Sequence, residues 1–143
     1  MINKKIFKNK KVIVTGHTGF KGTWLSLWLN NMGAKVLGIS KNIPTDPSHF
    51  KSINLKKKIK NSKINICNYN KLSNVFKKYQ PDFVFHLAAQ SLVKNSYLNP
   101  IETWHSNTIG TLNVLESLKQ IKKKVYVVII TSDKSYKNLE ISR

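Results

Sequence analysis

Apolar and polar positions along the chain alternate between short apolar runs and stretches with apolar residues three and four apart. Lys11–Thr15 is a compact β-branched run and reads as a first strand. Phe20, Trp24, Leu25, Trp28, Leu29 and Met32 then recur at helical spacing, which predicts a helix with one apolar face turned to the sheet. Gly33 closes that helix, and residues 34–39 read as a second strand. Pro44 and Pro47 mark a loop, running to about Ser62, with at most short helical turns. Residues 63–67 read as a third strand. Leu72, Val75, Phe76 and Tyr79 follow at i, i+3, i+4 and i+7, a second amphipathic helix. Pro81-Asp82 turns into a fourth strand over 83–87. A loop to Pro100 leads to one long helix over 101–119, and residues 125–130 form a fifth strand, apolar on both faces.

Near-continuous apolar strands separated by amphipathic helices indicate an α/β fold with a parallel sheet covered on both sides. The preferred hand of crossover connections makes this a Rossmann-type, doubly wound sheet. Ligands in such sheets bind at the carboxyl ends of the strands. Three small or polar clusters fall there: Gly16 to Gly22, Ala88-Ala89-Gln90, and Thr131-Ser132-Asp133-Lys134. They follow three different strands and are expected to converge on one crevice.

The first cluster is spaced Gly16-x-x-Gly19-x-x-Gly22, at the handover from strand to helix. Gly16 permits the tight turn, Gly19 leaves out the Cβ that would block a pyrophosphate, and Gly22 allows close packing of the helix. The helix's first N–H groups and its dipole then favour phosphate oxygens. Phe20 and Lys21 would present backbone N–H groups, with His17 and the Lys21 side chain nearby.

Composition changes this picture little. The 143 residues carry a formal net charge of +19, from lysines spread over loops and helix faces. Such a field attracts nucleic acid non-specifically, but zinc-finger spacing, a basic heptad region and an RNA-recognition signature are absent, and Arg143 is the only arginine. Solvated lysine from a compositional bias accounts for the charge without a specific nucleic-acid partner. No apolar run is of membrane-spanning length, so no membrane role and a cytoplasmic location are expected. The single Cys67 excludes an internal disulfide, and no metal-ligand spacing is present; His49, His86 and His105 read as structural. Trp24 and Trp28 read as helix-to-sheet packing.

Four motifs, in order along nearly the whole chain, resemble the extended short-chain dehydrogenase/reductase family. They are Thr15-Gly16-x-x-Gly19-Phe20-x-Gly22, His86-Leu87-Ala88-Ala89-Gln90, Asn107-x-x-Gly110-Thr111 and Thr131-Ser132-Asp133. Within it, Gly16 to Leu25, His86 to Val93 and Ser132-Asp133-Lys134-Ser135-Tyr136 are most similar to the sugar-nucleotide 4,6-dehydratases that act on CDP-glucose. The resemblance implies NAD as cofactor and CDP-glucose as substrate of a full-length, homo-oligomeric enzyme. The cofactor would be held by Gly16, His17, Gly19, Phe20, Lys21, Gly22, Asn65, Ile66, Leu87, Ala88, Ala89, Gln90 and Asn107. The alanines would let the nicotinamide ribose approach the backbone, and Asn107 would buttress the site from its helix. In catalysis Ser132 would hydrogen-bond the sugar C4 oxygen, Asp133 would protonate the departing C6 hydroxyl, and Lys134 would take or relay the C5 proton. A lysine serves as base once burial or neighbouring charge lowers its pKa.

The chain departs from the family in three places. Ser40-Lys41-Asn42 follows strand two, where an acid would grip the adenosine ribose, and a lysine there suits a 2′-phosphate, hence NADP. In Asn65-Ile66-Cys67-Asn68 both asparagines stand where aspartates commonly flank Ile66. No tyrosine of the chain has a lysine four residues later, the family's catalytic pair. The whole of 1–143 therefore reads as the cofactor-binding, N-terminal part of a longer dehydratase, inactive alone. The alternatives are an epimerase or reductase of the same family, a non-catalytic NAD-binding module and, from another class, a basic nucleic-acid-binding protein.

Overall fold

The computed structural model describes residues 4–132. Its five strands are β1 (Lys11–Thr15), β2 (Lys35–Ser40), β3 (Lys60–Lys63), β4 (Phe83–His86) and β5 (Tyr126–Ile129). All pair in parallel in the order β3-β2-β1-β4-β5. Chain order reverses between β1 and β4, and the register sets Val14 beside Gly38 on one side and Phe85 on the other. The expected doubly wound α/β sheet is what the chain forms. Because every strand points the same way, all five carboxyl ends share one edge of the sheet.

Alternation along β1 divides the core. Val12 and Val14 pack with Val36, Ala34, Leu29 of helix α1 (Phe20–Asn31) and Met32, its C-cap. Ile13 points to the opposite face, with Ile39, Val84 and residues of two helices. Helix α3 (Tyr69–Tyr79) supplies Leu72 and Phe76, and helix α6 (Gly110–Leu118) supplies Val114, all three fully buried. Each such side chain contributes about 1.5–3 kcal/mol of burial. Helices thus cover both faces, and Gly33, with φ +81°, terminates α1 as its position suggests.

The apolar face expected for α1 is only partly the buried one. Phe20, Trp24 and Trp28 are 71%, 50% and 50% exposed, while Gly22, Thr23, Ser26 and Leu29 are buried. A Cβ on Gly22 would lie 2.1 Å from the Gly16 carbonyl oxygen. At that approach only small side chains fit beneath the helix, so the indoles are turned outward and Trp24 packs on His49, ring centroids 4.5 Å apart. The loop after β2 holds the short turns α2 (His49–Ser52) and a 3-10 turn, Leu55–Lys57, as expected.

Strand three ends where it was expected to begin. Lys60-Asn61-Ser62-Lys63 is polar, but an edge strand paired only with β2 needs no apolar alternation. Ile64 and Ile66 enter the core after the chain has left the sheet. The long helix over 101–119 is also subdivided. Helix α5 (Pro100–Trp104) runs into a π-turn, His105–Ile109, and then into α6. The loop before it contains an unexpected helix, α4 (Val93–Leu98), which buries no side chain and so leaves no periodic apolar signal.

Candidate functional site

The turn after β1 is built by the glycines. Gly16, at φ +74°, takes a left-handed conformation, and a Cβ there would strike the backbone of Leu87 and Ala88 at 2.8–2.9 Å. Gly22 is closed by the same turn. Gly19 differs: an added Cβ would meet only the Gly16 oxygen, at 3.4 Å, and otherwise open space. Gly19 is also the N-cap of α1 and brings no side chain to it. The open cradle is therefore at Gly19, with the amino end of a twelve-residue helix beneath it, which attracts phosphate oxygens. The exposed Phe20 and Lys21 begin that helix.

His17 follows a different course from the expected phosphate neighbour. Its ring is 2% exposed and lies over Gly38, where a Cβ would fall 2.3 Å from the imidazole. Nε2 donates to Asn61 Oδ1 at 2.9 Å and Nδ1 accepts from Ser40 Oγ at 3.0 Å, an assignment set by the Asn61 amide donating to two carbonyls. Burial lowers the His17 pKa, with hydrogen bonds to Ile39 and Asn61 offsetting part of the effect. The neutral ring joins β2 to β3, and Thr23 Oγ1 donates to its carbonyl at 3.0 Å, fastening α1 to the turn.

A second polar chain ties β1, β4 and α6 together. Thr15 Oγ1 accepts from the N–H groups of Leu87 and Ala88, both at 3.2 Å. Its own proton goes to His86 Nδ1 at 2.6 Å. His86 Nε2–H then donates to Thr111 Oγ1 at 2.9 Å, whose hydroxyl donates to the Asn107 carbonyl at 2.7 Å. Only one tautomer satisfies this chain. Burial lowers the His86 pKa to about 4, so the ring is neutral. Asn107, in the π-turn, grips the backbone of Gln90 from both sides: Oδ1 accepts its N–H at 2.7 Å and Nδ2 donates to its carbonyl at 2.9 Å. The Gln90 side chain in turn spans Leu92 and Thr103. These two residues fix the segment holding Leu87, Ala88 and the exposed Ala89. Thr15 and Thr111 stand within the motifs of the sequence but had no role assigned there, although a Thr at the end of a strand is a signal for such a chain.

Beyond β2 and β3 lies a cavity of about 530 Å³, lined among others by Lys41, Asn65, Cys67, Leu98, Glu102 and His105. Asn65 Oδ1 accepts from the Cys67 N–H at 3.0 Å in a local turn, and Asn113 Nδ2 holds the Ile66 carbonyl at 3.0 Å. Ile66 packs under Gly110, where a Cβ would be 2.5 Å from its Cδ1. Across the cavity Lys41 Nζ meets Glu102 Oε1 at 2.8 Å, joining the end of β2 to α5.

The structure thus brings the Gly16–Gly22 turn and the 87–90 segment side by side at the switch between β1 and β4, with Asn65 and Ile66 further along the same edge. Ser132 follows β5 and is exposed. Asp133 and Lys134 lie outside the described residues. Among the described residues no group of three His, Cys, Asp or Glu comes together, and no helix is long and apolar enough to cross a membrane.

A family model described as GDP-mannose 4,6 dehydratase matches residues 13–141. The CDP-glucose 4,6-dehydratase of Salmonella typhimurium is 48% identical over 140 residues, covering 98% of this chain and 39% of that protein. Among solved structures, an epimerase of Methanothermobacter thermautotrophicus superposes with a TM-score of 0.81 at 31% identity, over 96% of this chain and 39% of its own. The UDP-glucose 4-epimerase of Thermus thermophilus, solved in complex with NAD, gives 0.68 at 28% identity over 77% of this chain and 34% of its own. The chain spans about two-fifths of the length of the first two.

Proposed function

The chain belongs to the GDP-mannose 4,6-dehydratase family, and we propose that it is the cofactor-holding, N-terminal part of a sugar-nucleotide 4,6-dehydratase acting on CDP-glucose. One observation carries the cofactor assignment. Of the three turn glycines, two are closed by backbone and one opens the amino end of α1 to a ligand. An anionic dinucleotide with a central pyrophosphate fits that cradle and the crevice leading from it. Phe20, Lys21 and Gly22 offer it backbone N–H groups, Ala88 and Ala89 leave room for a ribose, and Asn65 and Ile66 border its adenosine end.

Bound NAD would supply the hydride acceptor and donor that a transfer from the sugar C4 to C6 requires. The residues of this chain orient and move protons around that chemistry. Ser132 holds the C4 oxygen, Asp133 protonates the C6 hydroxyl so that it leaves as water, and Lys134 removes the C5 proton made acidic by the adjacent C4 ketone. The 48% identity to the Salmonella dehydratase supports CDP-glucose over other nucleotide sugars. The family's Tyr and Lys pair is absent from these 143 residues. These residues therefore bind the cofactor without turnover of their own, within a homo-oligomeric enzyme.

Calorimetric titration with NAD tests this. The parent chain binds saturably, and Gly19→Val, which fills the cradle, loses at least tenfold in affinity with an unchanged far-UV spectrum. Equal binding by both proteins refutes the assignment.

A further inference from the structure

The Lys41–Glu102 pair, resting on the dinucleotide reading above, points to how this site selects its cofactor. A lysine directly after β2 stands where dinucleotide sites distinguish a ribose 2′-hydroxyl from a 2′-phosphate. Taken alone, Lys41 is a phosphate-binding cation and favours NADP. The structure does not leave it alone. Its Nζ lies 2.8 Å from Glu102 Oε1, and both residues line the cavity of about 530 Å³ beside Asn65 and Cys67. Glu102 comes from α5, sixty-one positions later, and is the acid among the lining residues. Its carboxyl is held below the usual carboxylate range by the Lys41 hydrogen bond and charge.

We propose that Glu102 is a specificity-determining residue that masks Lys41 and makes this site select NAD over NADP. The pair restores from a helix the acid that β2 does not carry. Its carboxylate accepts hydrogen bonds from ribose hydroxyls, and it repels a 2′-phosphate that would otherwise be drawn to the ammonium. A phosphate must break the pair before it reaches Lys41. With Glu102 neutralised, Lys41 becomes a free cation at the same place, and the preference shifts. Nothing else about the crevice changes: the cradle at Gly19 and the Asn107–Gln90 clamp lie outside the pair.

The experiment is titration of the 143-residue chain with NAD and with NADP by calorimetry, at low and at high salt. The parent, Glu102→Gln, Lys41→Met and the double variant are compared. The parent binds NAD more tightly than NADP. Glu102→Gln moves the NADP-to-NAD affinity ratio toward NADP by roughly tenfold or more, the scale of one hydrogen bond to a charged group. The double variant loses that gain, because the gain runs through Lys41. Added salt shrinks it, as expected for partly exposed charges. An unchanged ratio in Glu102→Gln, or a parent that prefers NADP, overturns the selector while the dinucleotide reading stands. Absence of binding of either cofactor to any of the four proteins overturns both.

Discussion

Protonating His86 should cost this fold a measurable part of its stability, because the hydrogen-bond chain has no place for a second ring proton. Nδ1 is an acceptor from Thr15, and the Thr15 oxygen already receives the N–H groups of Leu87 and Ala88. A proton on Nδ1 faces an oxygen with no lone pair left for it, in a site 3% exposed. The sign follows from the direction of the shift. The unfolded chain takes up the proton near the ordinary 6.5, whereas the folded ring does so only near 4. Stability is unaffected above pH 6.5, falls as pH drops from 6.5 to 4, and is constant in this respect below 4. At about 1.4 kcal/mol per pH unit, the loss across that window is about 3 kcal/mol. His17, also lowered by burial, acts in the same direction. Urea denaturation at half-unit pH intervals measures the slope in the parent and in His86→Asn, whose amide can replace the Nδ1 contact. The variant is less stable at pH 7 by about 1–2 kcal/mol for the broken Thr111 bond, and most of the pH 4–6.5 loss disappears. Subtracting the two curves cancels the carboxylates and the three remaining histidines. Parallel curves would refute the argument that the ring is held neutral.

The turn glycines separate stability from binding. Gly22→Ala drives a Cβ to 2.1 Å from the Gly16 oxygen and should lower the unfolding free energy by about 1–3 kcal/mol or more, whereas Gly19→Ala, at φ −75° with open space around it, stays within about 1 kcal/mol of the parent; equal urea midpoints would contradict the turn geometry. Tyr79 donates to the Lys35 carbonyl, and burial, with Asp82 nearby, pushes its phenol up to about 12. Alkaline spectrophotometric titration should show one late-ionising phenol that is missing in Tyr79→Phe.

The parallel sheet and the placing of the crevice were legible because they rest on periodicity and on glycine. Val12 to Val14 cannot be anything but a buried strand beside a Gly-rich turn, and Leu72, Val75, Phe76 and Tyr79 cover a sheet by their spacing alone. The errors have physical causes. Lys60 to Lys63 pairs through its backbone at the edge, where side chains need not be apolar, so the eye passes on to Ile64 and Ile66. Helix α4 has no buried side chain to mark it. His17 was expected beside a phosphate because it sits inside the glycine motif, but Gly38, on the neighbouring strand, gives its ring a slot that no local pattern records. Lys41 was legible as a departure, whereas its pairing with Glu102 needed the fold.

The misjudged face of α1 and the open cradle have one cause. For the helix to bring its amino end to the turn, its backbone must come within contact of Gly16, and Gly22, Thr23 and Ser26 are the side chains that permit it. Apolar bulk then has to go elsewhere on the helix, so Phe20, Trp24 and Trp28 stand on the outside. A helix selected only for packing would do the reverse, burying indoles worth several kcal/mol of apolar area. The sacrifice of that burial is made at the helix whose amino end meets the glycine turn, whereas α3, at no glycine turn, buries Leu72 and Phe76 at the positions its periodicity indicates. Position along the chain does not explain this contrast, and proximity of the α1 backbone to a ligand-binding turn does.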